Sequence, residues 1–70
     1  MHEYQLHIDN KFEEFIPGIN INIMATKGMS EYRFVETKDG TVFFIKFYNE
    51  DEMYAFDKYM RDIAPFLFQS

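Results

Sequence analysis

The sequence predicts a small α+β domain: an antiparallel sheet of three or four strands with a central Asp-Gly hairpin, one face packed by a C-terminal helix, and a short helix after the first strand. Three observations carry this expectation. Residues 2–9 alternate polar and apolar side chains with the period of a half-buried strand. Two β-rich runs, 31–37 and 41–48, flank Lys38-Asp39-Gly40, a strong hairpin signal. Asn49-Glu50-Asp51-Glu52 then opens a run whose apolar residues recur at helical spacing.

The elements follow in chain order. In the first strand Tyr4, Leu6 and Ile8 share one face, and Glu3, Gln5, His7 and Asp9 the other. Asn10 is the expected N-cap of a short helix over 11–16, with Phe12, Phe15 and Ile16 at i, i+3, i+4. Pro17-Gly18 is expected to stop it, because the residue before a proline is driven out of helical geometry. Ile19-Asn20-Ile21-Asn22-Ile23 alternates and reads as a second strand with three isoleucines inward. Residues 25–30, with Gly28 among them, read as a turn.

Register decides what the hairpin buries. A two-residue Asp39-Gly40 loop, with Gly40 supplying a positive φ, places Tyr32 and Phe34 on one face with Phe43, Ile45 and Phe47. It also sets Arg33 opposite Lys46. A four-residue loop keeps the same faces and puts Glu31 opposite Lys46 instead. A three-residue loop would switch the faces and separate the large apolar groups. The two-residue loop is the expected form, and the face assignment is its content.

The last helix, expected over about 50–63, starts with a capping box of Asn49 and Glu52 and a staple of Tyr48 on Met53. Three acids in its first turn suit the helix dipole. Met53, Phe56, Met60, Ile63 and Leu67 form the expected buried stripe, Asp57 and Arg61 a solvent-side i, i+4 pair, and Pro65 ends the regular helix. One helix covers one face of a sheet. Val35, Val42 and Phe44 point to the other face, which either the short helix covers or is left exposed.

Size and charge bound the function. Residues 1–70 read as one domain of 8.5 kDa, burying roughly 60% of the extended chain's surface on folding. The chain has no cysteine, no basic-then-apolar leader pattern in its first nine residues, and no apolar run longer than the four residues 42–45. A cytoplasmic setting without membrane attachment is expected. Seven basic against twelve acidic residues give a net charge of −5, the wrong sign for binding nucleic acid directly.

No motif for catalysis stands out. The serines, Ser30 and Ser70, lie in no nucleophile elbow, and Glu13 and Glu14 are adjacent and so diverge on a helix. His7 and Asp9 share a strand face, with Glu3 or Glu36 as the remaining oxygen donor, but no His/Cys cluster joins them. Gly18, Gly28 and Gly40 are isolated, so no phosphate-cradling loop is formed. The aromatic run 43–48 lacks the basic residue and glycines of an RNA-stacking strand. Neither catalysis nor a metal or other cofactor is expected.

Protein binding remains. Glu50, Asp51, Tyr54 and Asp57 on the last helix are the candidate contact set for a larger protein with a basic surface, including one that normally holds nucleic acid. A small modulator or inhibitor, the class that includes virus-encoded inhibitors of host machinery, fits such a surface. The alternative is a self-assembling or adaptor subunit, a homodimer in its simplest form, using Val35, Val42 and Phe44 or a free sheet edge.

Overall fold

The structure, a computed structural model, describes residues 2–68. Strand β1 (His2–Asp9) leads through a 3-10 segment (Asn10–Phe15) into helix α1 (Ile16–Met24). Strands β2 (Met29–Glu36) and β3 (Gly40–Phe47) form the hairpin, and helix α2 (Glu50–Ile63) is followed by a 3-10 turn (Pro65–Phe68). The sheet is three-stranded and wholly antiparallel in the order β1-β3-β2, so β3 is central and both other strands are edges.

Alternation along the strands divides the sheet into two unlike faces. Leu6 and Ile8 of β1 and Phe43, Ile45 and Phe47 of β3 are buried together under Ile19 and Ile23 of α1 and Phe56, Met60 and Ala64 at α2. The folded chain exposes 4879 Å², about 40% of the extended chain's area by size scaling. Among the described residues no helix is long and apolar enough to cross a membrane.

The largest departure from the sequence reading is α1. Residues 19–23 are helical, not a strand, and Ile21 is 66% exposed while Ile19 and Ile23 are buried. Ile-Asn-Ile-Asn-Ile fits two periods at once: every second residue for a strand, and positions 16, 19 and 23 for one helical stripe. Pro17 sits in the first turn, where its missing N–H is no loss, so it opens α1 instead of closing the segment before it. The preceding turn is 3-10, capped by Asp9, whose carboxylate accepts from the Lys11 amide at 3.0 Å. Asn10, the expected cap, ties β1 to the hairpin by donating its side-chain amide to the Lys38 carbonyl at 2.7 Å.

The hairpin takes the register that pairs Glu36 with Thr41 and Glu31 with Lys46, two residues away from the expected one. Thr37 and Gly40 exchange main-chain hydrogen bonds of 2.7 and 3.3 Å around Lys38-Asp39. Both registers set Tyr32 and Phe34 on the face of Phe43, Ile45 and Phe47, and the observed one replaces an Arg33–Lys46 clash with a Lys46–Glu31 ion pair of 3.4 Å. Gly40 serves packing, not turn conformation. A Cβ there would run into the Ile8 carbonyl oxygen of the adjoining β1. Gly28 is the glycine with positive φ (80°), at the turn into β2.

On α2 the cap forms, with Asn49 Oδ1 accepting from the Glu52 amide at 2.9 Å, while the Glu52 side chain lies against Gly28. In the buried stripe Ala64 takes the place of Ile63, which is exposed, because Ala64 stands one full turn beyond Met60, while Met53 and Leu67 pack partly buried against the core.

Candidate functional site

The acidic end of α2 is set by the way β3 hands over to it. Phe47 is buried, and the next residue turns outward: the Tyr48 amide donates to the Gly28 carbonyl at 3.0 Å, while its side chain stands 66% exposed. The expected staple on Met53 therefore buries little of that ring. Asn49 in extended geometry starts the helix, and Glu50 and Asp51 project into solvent from its first turn. Tyr54, 58% exposed, lies one turn after Glu50. The neighbouring Glu50 carboxylate, as an acceptor for its hydroxyl and as an adjacent charge, raises the phenol pKa above the ordinary range. Among the described residues neither Glu50 nor Asp51 enters an ion pair. The result is a carboxylate pair framed by two exposed phenols, able to accept from lysine and arginine and to offer rigid contact area.

Asp57 does not belong with them. The sequence reading turns it toward solvent, but its side chain is 28% exposed and held from two sides. Tyr4 Oη of β1 donates to Oδ1 at 2.5 Å, and Arg61 Nε donates to Oδ2 at 3.0 Å. The Arg61 guanidinium also lies over the Phe68 ring, 4.3 Å from its centroid. Tyr4 packs edge-on against Phe56, so Asp57 closes a clamp that fixes α2 on the edge of β1. Burial, then the hydrogen bond to Asp57, pushes the Tyr4 phenol far above its ordinary pKa.

The second candidate surface is the sheet face without helices. Both helices pack on the opposite face, so neither the 3-10 segment nor α1 covers Val35, Val42 and Phe44. Val35 and Val42 are cross-strand partners, with His7 beyond them on β1. Phe44 is half-buried under Arg33, whose guanidinium lies 4.1 Å from the ring centroid. The next row is Glu3, Lys46 and Glu31. The face is thus an apolar line along the central strand, flanked by charges of both signs.

His7 and Asp9 also lie on this face, but Glu36 falls on the other, and Glu3 is four residues back along the strand. Among the described residues no three His, Asp or Glu side chains gather where a metal ion could be held. Ser30 is in β2, and Ser70 lies outside the described residues.

Three exposed rings escape the sequence reading, which places Tyr48 in the staple, Phe34, here 54% exposed, in the core, and Phe15, here 43% exposed, on the apolar stripe of the short helix. Phe34 is on the covered face and touches Phe43 at 5.6 Å between ring centroids, but it sits on the edge strand. Periodicity identifies a residue's face, not how far the covering helix reaches. Comparison with models of known families, with characterised proteins and with solved structures finds no match.

Proposed function

We propose that the chain is a protein-binding module that modulates or inhibits a larger protein by laying the N-terminal end of α2 against a basic surface. The observation that supports this reading is the exposed quartet Tyr48, Glu50, Asp51 and Tyr54, in which two carboxylates without ion pairs lie between two solvent-facing phenols. Tyrosines supply contact area at small entropic cost, and the acids steer approach. With a net charge of −5, a partner surface that normally holds nucleic acid is electrostatically the best matched. A cysteine-free chain suits a reducing, cytoplasmic setting.

The test uses the wild-type chain and a Glu50→Lys/Asp51→Lys variant as paired baits in one lysate. A protein retained by the wild type and lost from the reversed bait is the expected result. Its association rate should fall with rising salt, since exposed charges are screened beyond about 8 Å at physiological ionic strength. Tyr54→Ala should chiefly speed its dissociation. Equal retention on both baits, or a salt-independent rate, would refute the reading.

A further inference from the structure

The sheet has an open edge whose chemistry is self-complementary. β2 is outermost, and from Glu31 to Glu36 every residue except Tyr32 is exposed. The direction of its main-chain groups follows from the hairpin. Thr37 and Gly40 exchange both hydrogen bonds, and antiparallel pairs alternate between bonded and non-bonded. Arg33–Phe44 and Glu31–Lys46 are therefore bonded pairs, while Tyr32 and Phe34 turn their N–H and C=O groups away from β3, toward the free edge.

An exposed strand edge is ordinarily blunted by proline, by charged side chains, lysine above all, or by a β-bulge. β2 contains no proline, glycine or lysine; its charges are Glu31, Arg33 and Glu36, and its irregularity between Met29 and Glu31 falls opposite Phe34 and Val35 in an antiparallel pairing centred on Tyr32. It also bears the exposed Phe34 and Val35. The other edge, β1, buries Leu6 and Ile8, half-buries Tyr4 and exposes polar residues alone.

We propose that two copies of this chain pair antiparallel through β2, Tyr32 opposite Tyr32, so that Glu31 of each copy faces Arg33 of the other. In that register Tyr32 of each copy exchanges outward main-chain hydrogen bonds with its counterpart. Glu31 and Arg33 then fall at the non-bonded positions, where cross-strand side chains lie closest. A symmetric pairing forms both ion pairs at once. Like charges guard the register from either side. A slip of two residues one way sets Arg33 against Arg33, and the other way sets Glu31 against Glu31. The Arg33 stack on Phe44 and the Lys46–Glu31 contact are compatible with the pairing, since both lie on the same open face. This inference is independent of the acidic end of α2, a helix that packs on β1 and β3.

Sedimentation equilibrium over a concentration series tests it. The wild type should rise to the mass of two chains. Arg33→Glu and Glu31→Arg should each weaken self-association by about tenfold or more, because each turns two attractive pairs repulsive. An equimolar mixture of these two variants should recover the dimer, since each then supplies the charge that the other lacks. Folding defects cannot imitate that recovery. Phe34→Pro should yield a folded monomer, because it deletes an outward N–H and leaves the β2–β3 ladder intact. A wild type that stays monomeric at the highest concentration overturns the proposal. So does a dimer indifferent to Arg33→Glu, or a mixture that fails to pair. Loss of the dimer on Phe44→Glu with Arg33→Glu silent would place the contact on the open face and equally overturn it.

Discussion

The contact between Tyr4 and Asp57 joins the first strand to the last helix across 53 residues of sequence, and its removal should be measurable. A hydrogen bond to a charged group contributes about 1.5–3 kcal/mol when buried. Asp57 keeps 28% of its side-chain surface in water and its other partner, Arg61, keeps 57%, so a value discounted for solvent screening to about 1–2 kcal/mol is appropriate for the pair. A chain of this size has roughly 4–10 kcal/mol in total. Tyr4→Phe should accordingly lower the melting temperature by about 4–8 °C for each kcal/mol lost. Urea melts of Tyr4→Phe, Asp57→Ala and the double variant give the coupling directly, and it should be about 1 kcal/mol.

Alkaline pH supplies a second readout of the same contact. The folded state raises the Tyr4 pKa above its ordinary 10.0, first by burial and then through the Asp57 carboxylate, so folding favours the protonated phenol. That contribution is complete below pH 10 and declines above it. The wild type should therefore lose more stability than Tyr4→Phe between about pH 10 and 11.5. A coupling of zero, together with parallel alkaline curves, would refute the clamp.

Three further expectations concern the frame that presents the binding surfaces. Phe56→Ala removes a ring set between Tyr4 and Phe47 at centroid distances of 5.5 and 5.4 Å, and should cost about 3–5 kcal/mol, leaving much of the chain unfolded at 37 °C by circular dichroism. Asn49→Ala should cost about 1 kcal/mol in denaturant melts by removing the cap of α2, and no loss would contradict the 2.9 Å bond. Ile23→Ala should cost about 2–5 kcal/mol and Ile21→Ala under about 0.5, whereas equal losses would restore the strand reading of residues 19–23.

The parts of this fold legible in the sequence are those where one period fits and the competitor does not. β1 alternates from Glu3 to Asp9, and α2 combines a cap, acids in the first turn and a stripe at positions 53, 56 and 60. The Ile-Asn repeat satisfies both periods, and what decides it lies elsewhere in the molecule. Asn20 and Asn22 find acceptor roles toward Tyr32 and Tyr59 at 3.0 and 2.9 Å. Those contacts bridge 12 and 37 residues, beyond the range of any local pattern. The candidate site is legible to the same degree. Glu50, Asp51 and Tyr54 are exposed as their helical positions imply, whereas the partners of Asp57 lie on another strand and one turn further along the helix.

The fate of individual carboxylates separates the fold from the proposed binding surface. Asp9 caps the 3-10 segment, Glu31 pairs with Lys46, and Asp57 holds Tyr4 and Arg61. Each of these acids has a structural partner, so reversing its charge perturbs stability together with any surface property. A triple reversal of Glu50, Asp51 and Asp57 would be uninterpretable on that account, because a lysine at position 57 would face Arg61 and leave the Tyr4 hydroxyl without its acceptor. Glu50 and Asp51 differ in kind. Their links to the fold are the helix dipole and, for Glu50, the neighbouring hydroxyl of the solvent-exposed Tyr54. An exposed charge in the first turn of a helix gains only about 0.3–1 kcal/mol from the dipole, and salt screens it. Reversing these two alone changes the local charge by four units at little structural cost, which makes the pair the cleanest available separation of recognition from folding.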